Sequence, residues 1–351
     1  MANTSSSQHR DSHRSLTRRS FGVLALGSFS ALALAACGSS NSSDSNASAS
    51  SASTSAKPAP SALPSGMGST AGDGEFPRTV KHFRGETKIE SAPKSVVILS
   101  TGQLDDVLAL GLVPIGAATA NDADLVPEYL KTKFSDKSAE LDKIAKVGKR
   151  TEPDLGAIAN LHPDLILINN TNKKEEVYES LSKIAPTVVT EGTGHNWKQD
   201  FLMIASALGA TSKAEEMLKD YEDKAKKLGE KAGKEKTFSF LYAAGDRTRV
   251  YAKSSFVGSI CEDASLARPA AQQEGKTSID LSSENLDQAD GDYLFYGVQG
   301  GDESKLTSET LWESLKAVKE KHAHKVDSDM FYLNAGITAA LGVIEEIDKN
   351  I

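Results

Sequence analysis

From 211 to 233 the chain is rich in Ala, Glu, Lys and Leu and contains no proline. Ala214, Met217, Leu218, Tyr221, Ala225 and Leu228 recur there at helical spacing, with Gly229 and Gly233 near the end. A helix of about 20 residues rises roughly 30 Å, enough to bridge two lobes. On either side the same order of patterns appears. Before it, apolar strand-like runs at 95–99, 163–168 and 187–189 alternate with amphipathic helical stretches near 103–110 and 155–161. After it come a strand-like run at 237–243, a helical stretch at 255–266 and a second strand at 292–296. Setting Asp164 over Asp292 places Ile158 on Leu286, Leu161 on Ala289 and Gly156 on Glu284. Repeated alternation of this kind predicts an α/β protein of two Rossmann-like lobes, each a parallel sheet flanked by helices, bridged by a single long α-helix. The expected division is an N-terminal lobe over 77–210, the bridging helix over 211–234 and a C-terminal lobe over 235–351, with a cleft between the lobes.

The first 76 residues belong to neither lobe by this reading. Residues 1–36 combine a basic stretch (Arg10, Arg14, Arg18, Arg19) with an apolar run from Phe21 to Ala36. That is the layout of an export signal. Thr17-Arg18-Arg19-Ser20-Phe21 resembles the twin-arginine motif, although Gly22-Val23 depart from it. Leu34-Ala35-Ala36-Cys37 resembles a bacterial lipobox, which would make Cys37 the lipidated N-terminus after cleavage. Residues 39–74 hold thirteen Ser and seven Ala. So few large apolar groups cannot offset the entropy of ordering, so 37–76 is expected to be a disordered tether.

Charge and cysteine content exclude several classes. Forty Lys+Arg against 48 Asp+Glu give a net charge of −8. Removing 1–36, with its four Arg and one Asp, leaves −11, which argues against a nucleic-acid binder. With Cys37 lipidated, Cys261 is the remaining thiol, set in an apolar stretch and read as a packed small hydrophobe. Motifs for a P-loop, a nucleophile elbow, a zincin or a dinucleotide fingerprint are missing, so no enzyme is expected. His322 and His324 share a strand face without further ligands nearby, and read as solvated surface. The acid pairs Asp105–Asp106 and Glu345–Glu346 read as solvated helix faces, and Trp312 reads as core.

These features together resemble the substrate-binding lipoproteins of iron–siderophore ABC importers, of the class whose lobes are joined by one long helix. The resemblance covers about 78–350. It rests on Val147-Gly148-Lys149-Arg150-Thr151-Glu152-Pro153-Asp154-Leu155 and Leu161-His162-Pro163-Asp164-Leu165-Ile166, with Ala109-Leu110-Gly111-Leu112, Ser283-Glu284-Asn285-Leu286 and Leu315-Lys316-Ala317-Val318-Lys319 in order. It implies capture of a ferric siderophore in the cleft and delivery to an ABC permease, with no cofactor of the protein's own; iron enters only inside the chelate. It further implies a monomer on the extracytoplasmic face of the cell membrane, touching the membrane only through its lipid.

A ferric siderophore presents oxygen-rich, often anionic surfaces, which call for guanidinium donors and aromatic walls. By resemblance Arg150 is a ligand contact on lobe one and Arg249 the cationic contact on lobe two, with Arg268 a further candidate. Trp197 and Tyr242 are the aromatic candidates; Phe331 and Tyr332 fall where many relatives carry a Trp. Relatives dock on the permease through one surface Glu per lobe. Glu284 matches that position in lobe two, whereas lobe one carries Gly156, with Glu152 or Asp154 as neighbouring acids. Hydroxamate or mixed-ligand siderophores are favoured. The alternatives are a haem- or cobalamin-binding importer component, with Tyr242 or His195 as an axial ligand for haem, and a ligand-sensing or adhesive surface lipoprotein.

Overall fold

The computed structural model describes residues 57–120 and 124–351. The export segment, Cys37 and 38–56 lie outside the described residues. The chain opens with a hairpin of β1 (Arg78–His82) and β2 (Gly85–Ile89). A six-stranded sheet follows, built from β3 (Val96–Ile98), β4 (Gly116–Thr119), β5 (Ala145–Lys149), β6 (Glu152–Pro153), β7 (Leu165–Asn169) and β8 (Thr187–Thr190). Its order is β6-β5-β4-β3-β7-β8, parallel except for the β5–β6 pair. Strands covered on both faces read as continuous apolar runs. Val96, Val97, Ile98, Leu165, Ile166 and Leu167 are accordingly all buried.

The second sheet holds β9 (Phe238–Ala244), β10 (Arg247–Tyr251), β11 (Ser278–Leu281), β12 (Tyr293–Val298) and β13 (Ala323–Lys325), in the order β11-β10-β9-β12-β13. β9, β12 and β13 run parallel, and β10 and β11 extend the edge antiparallel. Trp312 packs edge-on against Tyr296 at 5.0 Å in the core behind this sheet.

Between the sheets lies the helix Thr211–Ala232, 22 residues long. Its face of Ala214, Leu218, Tyr221, Ala225 and Leu228 is buried against the helices Trp197–Leu208 and Ile337–Lys349. Gly229 sits inside this helix rather than ending it. A Cβ there would lie 2.0 Å from the Ala264 carbonyl oxygen, so glycine is what lets the following lobe approach the helix.

Three expectations are overturned here. Within 57–76, assigned to the tether by composition, the chain from Leu63 on is docked on the core through a few anchors. Leu63, Met67 and Phe76 lie against the main core, Gly68 bridges to Lys81, and Ser69 N donates to Ser206 Oγ at 2.7 Å. The Asp73 carboxylate accepts from Thr211 N and Ser212 N, both at 2.8 Å, and so caps the bridging helix. A few apolar anchors and one capping acid suffice, and the average composition hides them. The second is the pair Asp105–Asp106, which is buried rather than solvated. Asp105 accepts from Thr338 N and Ala339 N at 2.8 Å each and from Tyr129 Oη at 3.0 Å, and Asp106 accepts from Ile337 N at 3.2 Å. The pair thus satisfies the orphan N–H groups of the helix Ile337–Lys349 from 231 or more residues away. The third is His322 and His324, which are half-buried rather than solvated, His322 stacked on Tyr293 and His324 tilted against Phe295.

Candidate ligand cleft

In the parallel part of the first sheet the chain order reverses between β3 and β7. Open α/β sheets bind ligands outside the carboxyl ends of their strands at such a reversal. There the structure opens three adjoining cavities. The first, about 340 Å³, lies between the lobes, with Thr101, Ala120 and Arg150 on one side and Tyr242, Gln299 and Asp329 on the other. The second, about 480 Å³, is bounded by Arg150, Asn169, Thr171, Lys173 and Lys174. The third, about 270 Å³, reaches inward to Gln103, Asp106 and Asp200 beneath Tyr251 and Tyr332.

Arg150 borders all three. Its placement follows from the chain around it. Lys149 pairs with Glu152, so Arg150 and Thr151 form a two-residue turn, and Arg150 N is pinned to the Thr119 carbonyl at 3.0 Å. Gly148, at φ 90°, allows the crossing of this turn; a Cβ would lie 2.7 Å from Asp154 N. The guanidinium donates to Thr101 Oγ1 and is in no ion pair among the described residues. Desolvation by the cleft walls lowers its pKa, but an arginine remains a cation at any physiological pH.

The opposite wall is aromatic. Tyr242 stacks on Tyr332 at 5.2 Å and meets Tyr251 edge-on at 6.5 Å. Tyr332 is held by its hydroxyl donating to the Phe295 carbonyl at 2.9 Å. Burial, then the neighbouring Tyr251, raises the Tyr242 pKa, against the opposing effect of Arg249. Asp329, on the same side, is raised by burial and by the nearby Asp327 and Asp124.

The other anticipated residues fall differently. Arg249 lies over the Tyr242 ring at 5.9 Å, its Nε buried without a partner, and lines none of the three cavities. It backs the wall instead of forming it. Arg268 is also outside the cleft. It donates to the Tyr251 carbonyl and to Gln272 Oε1, lies over Phe240 at 4.9 Å, and borders a separate cavity with Cys261. Trp197 is core, not wall. It is 1% exposed, set edge-on to Tyr221 at 4.9 Å and to Phe256 at 5.8 Å, with Nε1 donating to Ser259 Oγ. Phe331 is likewise core, against Phe240 and Phe295. Cys261 is buried and free. Glu284 is exposed on the turn Ser283–Ala289, whose Leu286 and Ala289 point inward.

Thr101, Gln103, Asn169 and Asp200 line the cleft without belonging to any motif in the sequence, and Asp106 lines it although its pairing with Asp105 reads as a solvated face. The signal that finds Thr101 and Asn169 is positional, since each sits at or just past the carboxyl end of an apolar strand run. Among the described residues no cluster of three or more His, Cys, Asp or Glu could hold a metal ion, and no helix is long and apolar enough to cross a membrane.

Two α/β lobes, one linking helix and a cleft at the strand ends define a solute-binding protein of the single-helix type. The chain belongs to the periplasmic binding protein family, whose model matches residues 96–330. It is 34% identical over 289 residues to the "Probable siderophore-binding lipoprotein YfiY" of Bacillus subtilis, covering 77% of this chain and 86% of that protein. Over 293 residues it is 30% identical to the petrobactin-binding protein YclQ of the same organism, covering 78% and 88%. Among solved structures, SirA of Staphylococcus aureus in complex with staphyloferrin B superimposes with a TM-score of 0.66 at 28% identity, covering 78% of this chain and 97% of that one.

Proposed function

We propose that the protein captures a ferric siderophore between its lobes and hands it to an ABC permease, with hydroxamate or mixed-ligand chelates preferred. The observation that carries this is Arg150, an unpaired guanidinium where three cavities meet, opposite the wall of Tyr242, Tyr251 and Tyr332. A fork of donors against an aromatic face suits an oxygen-rich chelate with apolar arms. Lys173 and Lys174 beside Arg150 add positive charge for pendant carboxylates. Siderophore binding by the named relatives supports the reading. Arg150 and Tyr242 are the ligand contacts, and Arg249 supports Tyr242 from behind. Glu284 is the permease-facing acid of lobe two, and Cys37 is the lipid anchor that holds the monomer on the outer face of the cell membrane.

The test is calorimetric titration of residues 57–351 with ferric hydroxamates, ferric citrate-hydroxamates, ferric catecholates, haem and cobalamin. Tight binding of a hydroxamate-containing chelate is expected. Binding of haem or cobalamin alone overturns the proposal, and heat from none of them favours a sensor or adhesin.

A further inference from the structure

The innermost of the three cavities is chemically unlike the other two. Arg150 stands at its mouth, but its floor carries two carboxyl groups, Asp106 and Asp200. Asp200 is held in place because its oxygens accept from Glu191 N at 2.9 Å and Gly192 N at 2.8 Å; Asp106 is held by Ile337 N. Neither acid is in an ion pair among the described residues; burial, then the adjacent Asp105, pushes the Asp106 carboxyl well up and favours its neutral form, so Asp200 is the acid of the floor that ionises. Gln103, 2% exposed, uses its amide oxygen to accept from Leu99 N and Ser100 N, which leaves Nε2 buried without a partner.

An anionic arm is repelled by this floor once Asp200 ionises, and a neutral arm gains at most an uncharged hydrogen bond from it. A cationic nitrogen pairs with the ionised Asp200 carboxylate and donates to an oxygen of the neutral Asp106 carboxyl, and a carbonyl or hydroxyl near it would accept from Gln103 Nε2. We infer that the cavity below Arg150 is a subsite for a protonated amine arm, so that the cleft selects ferric chelates carrying an oxygen-rich core and a primary or secondary amine. The inference rests on the ferric-chelate reading above and adds a specificity to it.

Burial, opposed by the two backbone N–H donors, pushes the Asp200 carboxyl up to about 7. The titratable and charged groups that face it are Glu191 beside it, Asp106, Arg150, and Tyr251 and Tyr332 across the cavity. An amine arm therefore meets a more fully ionised Asp200 as pH rises from 6 to 8.

The experiment uses the full chain and two probes, a linear ferric tris-hydroxamate ending in a primary amine and the same chelate with that amine acetylated. The free amine is expected to bind at least tenfold more tightly at pH 8. Its advantage should shrink at pH 6, and Asp200→Asn should cut the ratio between the two chelates below threefold. Thermal unfolding checks that the variant is folded, and the wild-type pH series stands without it. Equal affinity for the two chelates, or tighter binding of the acetylated one, overturns the amine subsite while leaving the siderophore reading intact. If neither chelate binds and the broader ligand set is also silent, both fall.

Discussion

Asp164 and Asp292 perform the same task in the two lobes. Asp164, just before β7, accepts from Lys94 N at 2.8 Å and Ser95 N at 3.0 Å at the start of β3. Asp292, just before β12, accepts from Thr237 N at 2.8 Å and Thr237 Oγ1 at 2.9 Å at the start of β9. In each lobe one carboxylate fastens the entrance of one parallel strand to the entrance of the next. The internal echo in the sequence is therefore an echo of function within the fold.

Removing either carboxylate takes the partner from donors that are part-buried or, at Lys94, exposed, so Asp164→Ala and Asp292→Ala should each cost about 1 kcal/mol in chemical denaturation. Burial acts to raise the Asp292 pKa, but Lys316 Nζ at 2.6 Å and the Thr237 donors hold it at about 2. Its folded value is below its unfolded one, so its contribution is present above pH 3.8 and is lost as pH falls toward 2. Asp292→Asn should flatten the stability curve in that window; an unchanged acid limb would contradict the assignment.

His82 should dominate a second acid window. It is buried in β1, accepts from Arg84 N at Nδ1 and pairs through Nε2 with Thr87 Oγ1 at 2.9 Å, an arrangement that requires the neutral ring. Burial pulls its pKa down to about 4. The stability it confers is complete above pH 6.5 and is lost as pH falls through 4, on the order of 2–3 kcal/mol. Histidine NMR titration of the folded protein should find one ring that stays neutral at pH 5.

Arg150→Ala should weaken binding of the favoured ferric chelate by about ten- to a hundredfold, the worth of one or two charge-assisted hydrogen bonds. Arg150→Lys should recover only part of this, because an ammonium lacks the planar fork. Tyr242→Ala should cost less than Arg150→Ala. Calorimetry at matched ionic strength measures both.

Asp105→Ala should destabilise the protein more than an ordinary surface acid, by about 2–4 kcal/mol, since it uncaps a buried helix start. The same joint, with the linking helix, should keep lobe closure small. A change of several ångströms in the radius of gyration on adding ligand, measured by small-angle scattering, would contradict that.

Glu284→Lys should reduce chelate uptake in cells several-fold while the dissociation constant in solution stays unchanged. A parallel loss in both would remove Glu284 from the permease interface.

Much of this architecture was legible in the residues. The apolar runs that became β3, β7, β9 and β12, and the proline-free stretch that became the linking helix, are local signals, because periodicity and propensity act over a few neighbouring residues. Arg150 was singled out only by resemblance to the family's motif; the turn that carries it to the cleft is set by the pairing of Lys149 with Glu152, which no local pattern announced. Local pattern was blind wherever burial is set by partners far along the chain. Asp105 and Asp106 look like a solvated acid pair until the helix start at Ile337 comes down on them. Trp197 looks like a cleft wall until Tyr221 and Phe256 close around it. Residues 57–76 look like tether until Asp73 finds Thr211. Sequence alone thus determined two lobes, one link and a cleft between the lobes. Which side chains face that cleft was decided only by tertiary structure, because desolvation and hydrogen bonding across more than a hundred residues set each one's environment.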